Sequence, residues 1–190
     1  MSVVRLPRFQ PLAQDRWMDP RYPVGKFVLD KDVTPAKRRA WLAQLEVLPQ
    51  DVKQALAELP PGGLDTPYRE GGWTARQVVH HLADSHMNAY TRIKLALTED
   101  APAVKTYEEQ LWAEMPDSKM DPAPSVAILE GVHTRLATVL ESLSPEQFAR
   151  TATHPQWGAV TVDFFAQLYA WHCRHHVAHI RMAAERSVRV

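Results

Sequence analysis

Apolar residues recur at spacings of three and four through four separate stretches of the chain, with polar residues filling the positions between. The first stretch runs from about Pro35 to Leu59 and carries Trp41, Leu42, Leu45, Val52, Leu56 and Leu59. That period marks an amphipathic helix. Pro49 falls inside it, either as a kink or as the first residue of a restarted helix. The second stretch opens at Thr74, with Gln77 three residues on to complete a capping box and Trp73 placed to staple onto Val78. It predicts a helix to about Thr98. The third, from about Pro122 to Leu143, aligns Ile128, Leu129, Val132, Leu136, Val139 and Leu140 on one stripe. The fourth runs from about Thr161 to Arg186.

The segments between these helices differ in kind. "PPGGLDTPYREGG" holds three prolines and four glycines and predicts a loop. A Pro-containing connection follows Thr98, with room for a short helix around Tyr107 to Glu114. "THPQWGAVTV" predicts a turn or small hairpin before the last helix. Residues 1–30 contain Pro7, Pro11, Pro20 and Pro23 without a sustained period, which suits an extended arm anchored by the aromatic ends of "YPVGKF", Tyr22 to Phe27. Four long helices without a run of alternating strands predict an all-α fold, a four-helix bundle with long connections, in one domain over residues 1–190.

Composition narrows the function classes. Lys plus Arg number 22 and Asp plus Glu number 22, with no long run of either sign, so nothing marks a nucleic-acid or acidic-membrane partner. No apolar run approaches the ~20 residues of a membrane span, and the first thirty residues lack the apolar middle of a signal peptide. Cys173 is the only cysteine, so no intrachain disulfide can form. A cytoplasmic location is expected.

The segment "WHCRHHVAHI", Trp171 to Ile180, gathers four of the nine histidines into ten residues. At ~100° per residue, with His172 set at zero, His176 lies near +40°, His179 near −20° and His175 near −60°. Phe165, Leu168, Tyr169 and Ala183 share that arc, so the histidines interrupt a core-facing stripe. Buried imidazoles need hydrogen-bond partners, and either hydroxyls and carbonyls or a shared metal ion can supply them. The pairs His172/His176 and His175/His179 both have the i, i+4 spacing of helical metal ligands, and spacing does not choose between them. A third ligand must come from elsewhere: His80, His81, His86, His133 or His154. On the second helix His81 lies amid a polar strip with Gln77, Asp84, Ser85, Asn88 and Arg92, beside the apolar face of Val78, Leu82, Ala89 and Ile93. His80 falls on the side expected to face solvent. His133 and His154 are expected at the surface or in hydrogen bonds.

Two motifs carry a resemblance. "LDTPYREGGWTARQVVHHLADSHMNAYTRIKLALTE" together with "WHCRHHVAHI" closely resembles the YfiT branch of the DinB-like superfamily, and "YPVGKF" is similar to that branch's amino-terminal motif. The resemblance runs from about residue 22 to residue 182. It implies a four-helix bundle carrying one divalent metal on three histidines and acting as a metal-dependent hydrolase, with some relatives serving as S-transferases for the small thiol bacillithiol. Carried over by position, the ligands are His81, His172 and His176. His175 and His179 become neighbours of the metal, His179 at a position where many members carry glutamine. A homodimer is also implied.

Three neutral histidines with a vacant position make a catalytic kind of site, able to acidify a bound water or to hold a thiol as its thiolate. Zinc is the expected ion; nickel, cobalt and manganese also suit imidazole. Asp84 and His179 are the expected catalytic orienter or proton carrier, and Gln77, Asn88 and Arg92 are placed to position a polar small-molecule substrate. The alternatives are an S-transferase using a small thiol and a non-catalytic bundle whose metal only joins two helices. Cys173 lies about 100° from His172 and is not expected to take part.

Overall fold

Each of the four periodic stretches is a helix in the computed structural model, which describes residues 19–188. They are α1 (Pro35–Ala57), α2 (Ala75–Thr98), α4 (Ala123–Glu141) and α6 (Val162–Val188), with short turns of helix α3 (Glu109–Trp112) and α5 (Pro145–Phe148) in the connections. Strands β1 (Thr151–His154) and β2 (Gly158–Thr161) form an antiparallel hairpin, pairing Thr151 with Thr161 and His154 with Gly158. Gly158 holds a φ of 68°, a left-handed conformation that glycine adopts without strain. The hairpin expected from "THPQWGAVTV" is therefore present.

The start signal read at Thr74 acts as anticipated. Thr74 Oγ1 accepts the Gln77 backbone N–H at 3.2 Å while Gln77 Oε1 accepts that of Thr74 at 3.0 Å, closing the capping box of α2. Thr34 caps α1, and Pro35 follows at its first position, where a missing N–H costs nothing. Pro49 neither breaks nor restarts α1, which runs through it.

Both α1 and α2 pack against α4 and α6. The two helices that follow one another in sequence thus occupy opposite corners, and the long segment 58–74 crosses between them. Around the bundle the order is α1, α4, α2, α6. Leu45, Leu48, Leu82, Ile93, Leu129, Leu136, Leu140 and Phe165 fill the middle, fully buried. Burial of each such side chain contributes about 1.5–3 kcal/mol. The stripe predicted for α4 is narrower than its period suggested: Leu129, Leu136 and Leu140 are buried, whereas Ile128, ~100° away from Leu129, is exposed.

The amino-terminal arm is described from residue 19, and residues 1–18 of the expected arm lie outside the described residues. From Asp19 to Thr34 it has no regular helix or strand, and its aromatic ends anchor it. Phe27 packs edge-on against Phe164 and beside Trp171, and Trp171 Nε1 donates to the Gly25 carbonyl at 3.0 Å. Asp30 and Gln167 exchange two hydrogen bonds that tie the arm to α6. Among the described residues no helix is long and apolar enough to cross a membrane.

Candidate metal centre

Because α2 and α6 are neighbours, His81 faces the last helix. Its ring centroid lies 5.3 Å from that of His172 and 4.7 Å from that of His176. One nitrogen from each of the three rings falls within 4.8 Å of the others. His175, His176 and His179 form a second group by the same measure, sharing His176. Proton placement separates the two groups.

His179 Nε2 contacts the Pro20 carbonyl at 3.1 Å, and a carbonyl can only accept. His179 therefore donates there, and its Nδ1 accepts from His176 Nδ1 at 3.3 Å. An ion shared by those two Nδ1 atoms would require the proton between them to move. His176 is left with Nε2 free, and its ring lies 4.7 and 4.4 Å from those of His81 and His172.

The donor set fits a divalent ion. His81 Nε2 and His172 Nε2 are 3.3 Å apart. Two nitrogens at zinc-bonding distance in a tetrahedral site would be separated by about 3.3–3.4 Å. Burial also keeps these rings neutral, as ligands must be. Desolvation, then the neighbouring His175 and His179, pulls His81 down to about 3. His172 and His176 are pushed well below the usual imidazole range, again chiefly by desolvation.

Two cavities meet at His81 and His172. One, of about 260 Å³, is bounded by Arg21, Arg69 and Trp73. The other, of about 600 Å³, is bounded by Ser85, Arg92, Tyr107, Trp157 and Tyr169. Glu109 and Gln110 border both. Partial desolvation, and Glu108 beside it, raise the Glu109 carboxyl above its ordinary value. Trp73 sits 4.7 Å from the His81 ring and Tyr68 stacks on His179 at 3.9 Å, so aromatic faces wall the histidines. The residue expected as a helix staple also lines the site.

Not every residue singled out in the sequence reaches the centre. Asp84 is half-buried, and desolvation followed by Asp117 raises its carboxyl to about 6, but it borders neither cavity. Gln77 is held by the capping box and donates to the Ala113 carbonyl; Asn88 donates to the Asp84 carbonyl. Arg92 does border the larger cavity, with its guanidinium on the Lys105 carbonyl and the Tyr169 hydroxyl. His80 is buried, contrary to the solvent-facing expectation, because the turn at Pro116–Lys119 covers that face of α2; it bonds Ser125 Oγ at 2.8 Å and the Met120 carbonyl at 3.1 Å. His133 and His154 are hydrogen-bonded but lie in the interior, not at the surface. Cys173 is buried, and burial raises its thiol. His175 Nδ1 is buried without a hydrogen-bond partner among the described residues.

Sequence reasoning missed the roles of Tyr68, Glu109 and His86. His86 lies five residues from His81, about 140° around α2, which turns it toward α4 and away from the polar strip.

The sequence profile of the DinB superfamily matches residues 44–180. A Bacillus cereus (strain ATCC 10987 / NRS 248) protein named "Putative metal-dependent hydrolase" is 46% identical over 168 residues, covering 88% of this chain and 97% of that protein. A Bacillus anthracis (strain CDC 684 / NRRL 3495) protein of the same name is similar to the same extent. Among solved structures, YfiT from Bacillus subtilis, described as a probable metal-dependent hydrolase with an unusual four-helix bundle topology, superposes with a TM-score of 0.85 at 43% identity, covering 90% of this chain and 99% of that one. TT2238, a four-helix bundle protein, shares the fold at a TM-score of 0.52 and 21% identity, over 74% of this chain and 95% of its own. With this extent of match in sequence and in fold, the chain belongs to the DinB superfamily.

Proposed function

We propose that the chain is a hydrolase of small molecules that depends on one divalent ion, zinc by preference, held by His81, His172 and His176. The observation that carries this is the convergence of three neutral imidazoles from two helices at the junction of two cavities. When bound, such an ion supplies positive charge that polarises a substrate carbonyl and acidifies a neighbouring water or thiol. The similarity to relatives named as metal-dependent hydrolases supports the reading.

The chain's own residues divide the remaining work. His179, fixed between Pro20 and His176, holds the His176 ring with its proton on Nδ1 and leaves Nε2 free. Glu109, at the rim of both cavities with a raised carboxyl, is better placed than Asp84 to exchange a proton with a bound substrate. Trp73 and Tyr68 shield the histidines on one side. Arg92 offers N–H groups to an anionic or carbonyl group in the larger cavity. The cavity volumes suit a small molecule.

The test is an activity panel on purified protein whose zinc content has been measured. Hydrolysis of esters or amides without added thiol, abolished by a chelator and restored by zinc, is expected. Turnover appearing only when a small thiol and an electrophile are supplied would replace hydrolysis with S-transfer. A protein that loses its fold with its metal and turns over neither class would be a metal-stapled bundle.

A further inference from the structure

A chain of buried imidazoles runs from the candidate centre across the whole bundle. His172 Nδ1 on α6 meets His86 Nε2 on α2 at 3.1 Å. His86 Nδ1 meets His133 Nε2 on α4 at 3.0 Å. His133 Nδ1 reaches the main-chain oxygen of Leu45 on α1 at 2.5 Å. Three contacts thus link all four long helices. His86 is 0% exposed and His133 2%, so water does not complete their hydrogen bonds.

The direction of the chain follows from its far end. A carbonyl only accepts, so His133 Nδ1 carries the proton. A neutral imidazole has one N–H, which leaves His133 Nε2 an acceptor and makes His86 Nδ1 the donor to it. His86 Nε2 then accepts from His172 Nδ1. His172 is left with a bare lone pair on Nε2, the atom 3.3 Å from His81 Nε2. One carbonyl on α1 decides which nitrogen of His172 is free at the centre.

That carbonyl is available for a reason written in the sequence. Inside a helix Leu45 would give its oxygen to the N–H four residues on. The residue there is Pro49, which has no N–H. A proline in a helix interior is costly, and here it vacates the one acceptor on which the imidazole chain ends.

We propose that His86 and His133 are positioning residues for the metal centre: suspended from the Leu45 carbonyl that Pro49 leaves free, they hold His172 in its Nδ1–H tautomer with Nε2 presented to the ion. The proposal rests on His172 being a ligand, as argued above. It adds a partner set that neither contacts the ion nor borders the two cavities at the centre.

The experiment is a long-range nitrogen–proton spectrum of the imidazoles in the full chain labelled with nitrogen-15, recorded zinc-free and zinc-loaded. His133, His86 and His172 are expected in the Nδ1–H form in both states. A proton on Nε2 of His86 or His133 overturns the proposal. Zinc affinity, measured by competition with a chromophoric chelator, gives an independent readout. His133→Phe keeps the ring volume but can bond neither Leu45 nor His86, and it should weaken zinc binding by about 10–100-fold. Affinity within twofold of the parent, in a variant with the parent's circular dichroism, overturns the positioning role. Should that variant not fold, the spectrum of the unaltered chain still decides. His81→Ala separates the two readings, since it should abolish tight zinc binding and leave all three tautomers in place. A parent chain that shows the tautomers but binds no zinc defeats the metal assignment, and the role of His86 and His133 with it. One that binds zinc through His172 with His86 protonated on Nε2 defeats the positioning alone.

Discussion

Lowering the pH of the metal-free chain from 7 to 5.5 should remove a large part of its stability. Seven imidazoles are held neutral by burial: His81 is drawn to about 3, His133, His175 and His179 to about 4, and His86, His172 and His176 well below the usual range. Desolvation is the largest cause in each case. Unfolded, the same rings take a proton near pH ~6.5. Folded pKa values lie below unfolded ones, so the contribution is fully present above pH ~6.5 and is lost as the pH falls toward 4. Between pH 7 and 5.5 each fully enclosed ring favours the unfolded chain by roughly 1 kcal/mol. The five most enclosed rings together approach about 5 kcal/mol, with His175 and His179 adding less because solvent reaches them in part, against a typical total stability of about 5–15 kcal/mol. Asp84, with its carboxyl raised, works the other way, but its exposure limits it to a fraction of one such term. Urea unfolding followed by circular dichroism, in a chelator at pH 7, 6.5, 6 and 5.5, measures the slope. A loss smaller than two imidazoles account for would refute the reasoning, since the rings would then protonate as readily folded as unfolded.

Other consequences follow from single contacts. Zinc occupancy at equilibrium should fall as the solution is acidified through roughly pH 6, because protons compete for the ligand nitrogens; unchanged occupancy at pH 4 in dialysis would contradict histidine ligation. His80→Ala should keep full zinc content but lose about 1–3 kcal/mol in urea melts, because it strands the Ser125 hydroxyl and Met120 carbonyl that His80 joins. Asp163→Ala should cost about 3 kcal/mol with zinc affinity unchanged, because Arg38 makes two bonds to that carboxylate, at 2.8 and 2.7 Å, in a largely buried pair. Cys173→Ala should retain metal and activity, as its thiol is buried away from the donor group; loss of zinc in that variant would contradict the site described.

The sequence made the scaffold legible because each long helix announces itself by its period, and α2 by its cap as well. Thr74 with Gln77 is a local signal that tertiary packing did not override. The inward arc of His172 and His176 was legible for the same reason, a helix's angular step being fixed. What the period could not convey is which helices become neighbours. The diagonal placement of α1 and α2 brings His86 against His133, and His133 against Leu45, across sequence separations no local rule reaches. His80 shows the same limit: its angle on α2 is the one expected, yet a distant turn covers it. Asp84 shares a polar strip with His81 but borders neither cavity, which strip membership alone could not reveal.

The central claim, that three histidines from two helices hold one ion, is tested most directly by the zinc-edge X-ray absorption spectrum of the chain loaded with one equivalent of zinc. The account predicts three imidazole rings with nitrogen at about 2.0–2.1 Å, and a vacant position filled by a light atom. A first shell of oxygen alone, or one containing sulfur from Cys173, would contradict it.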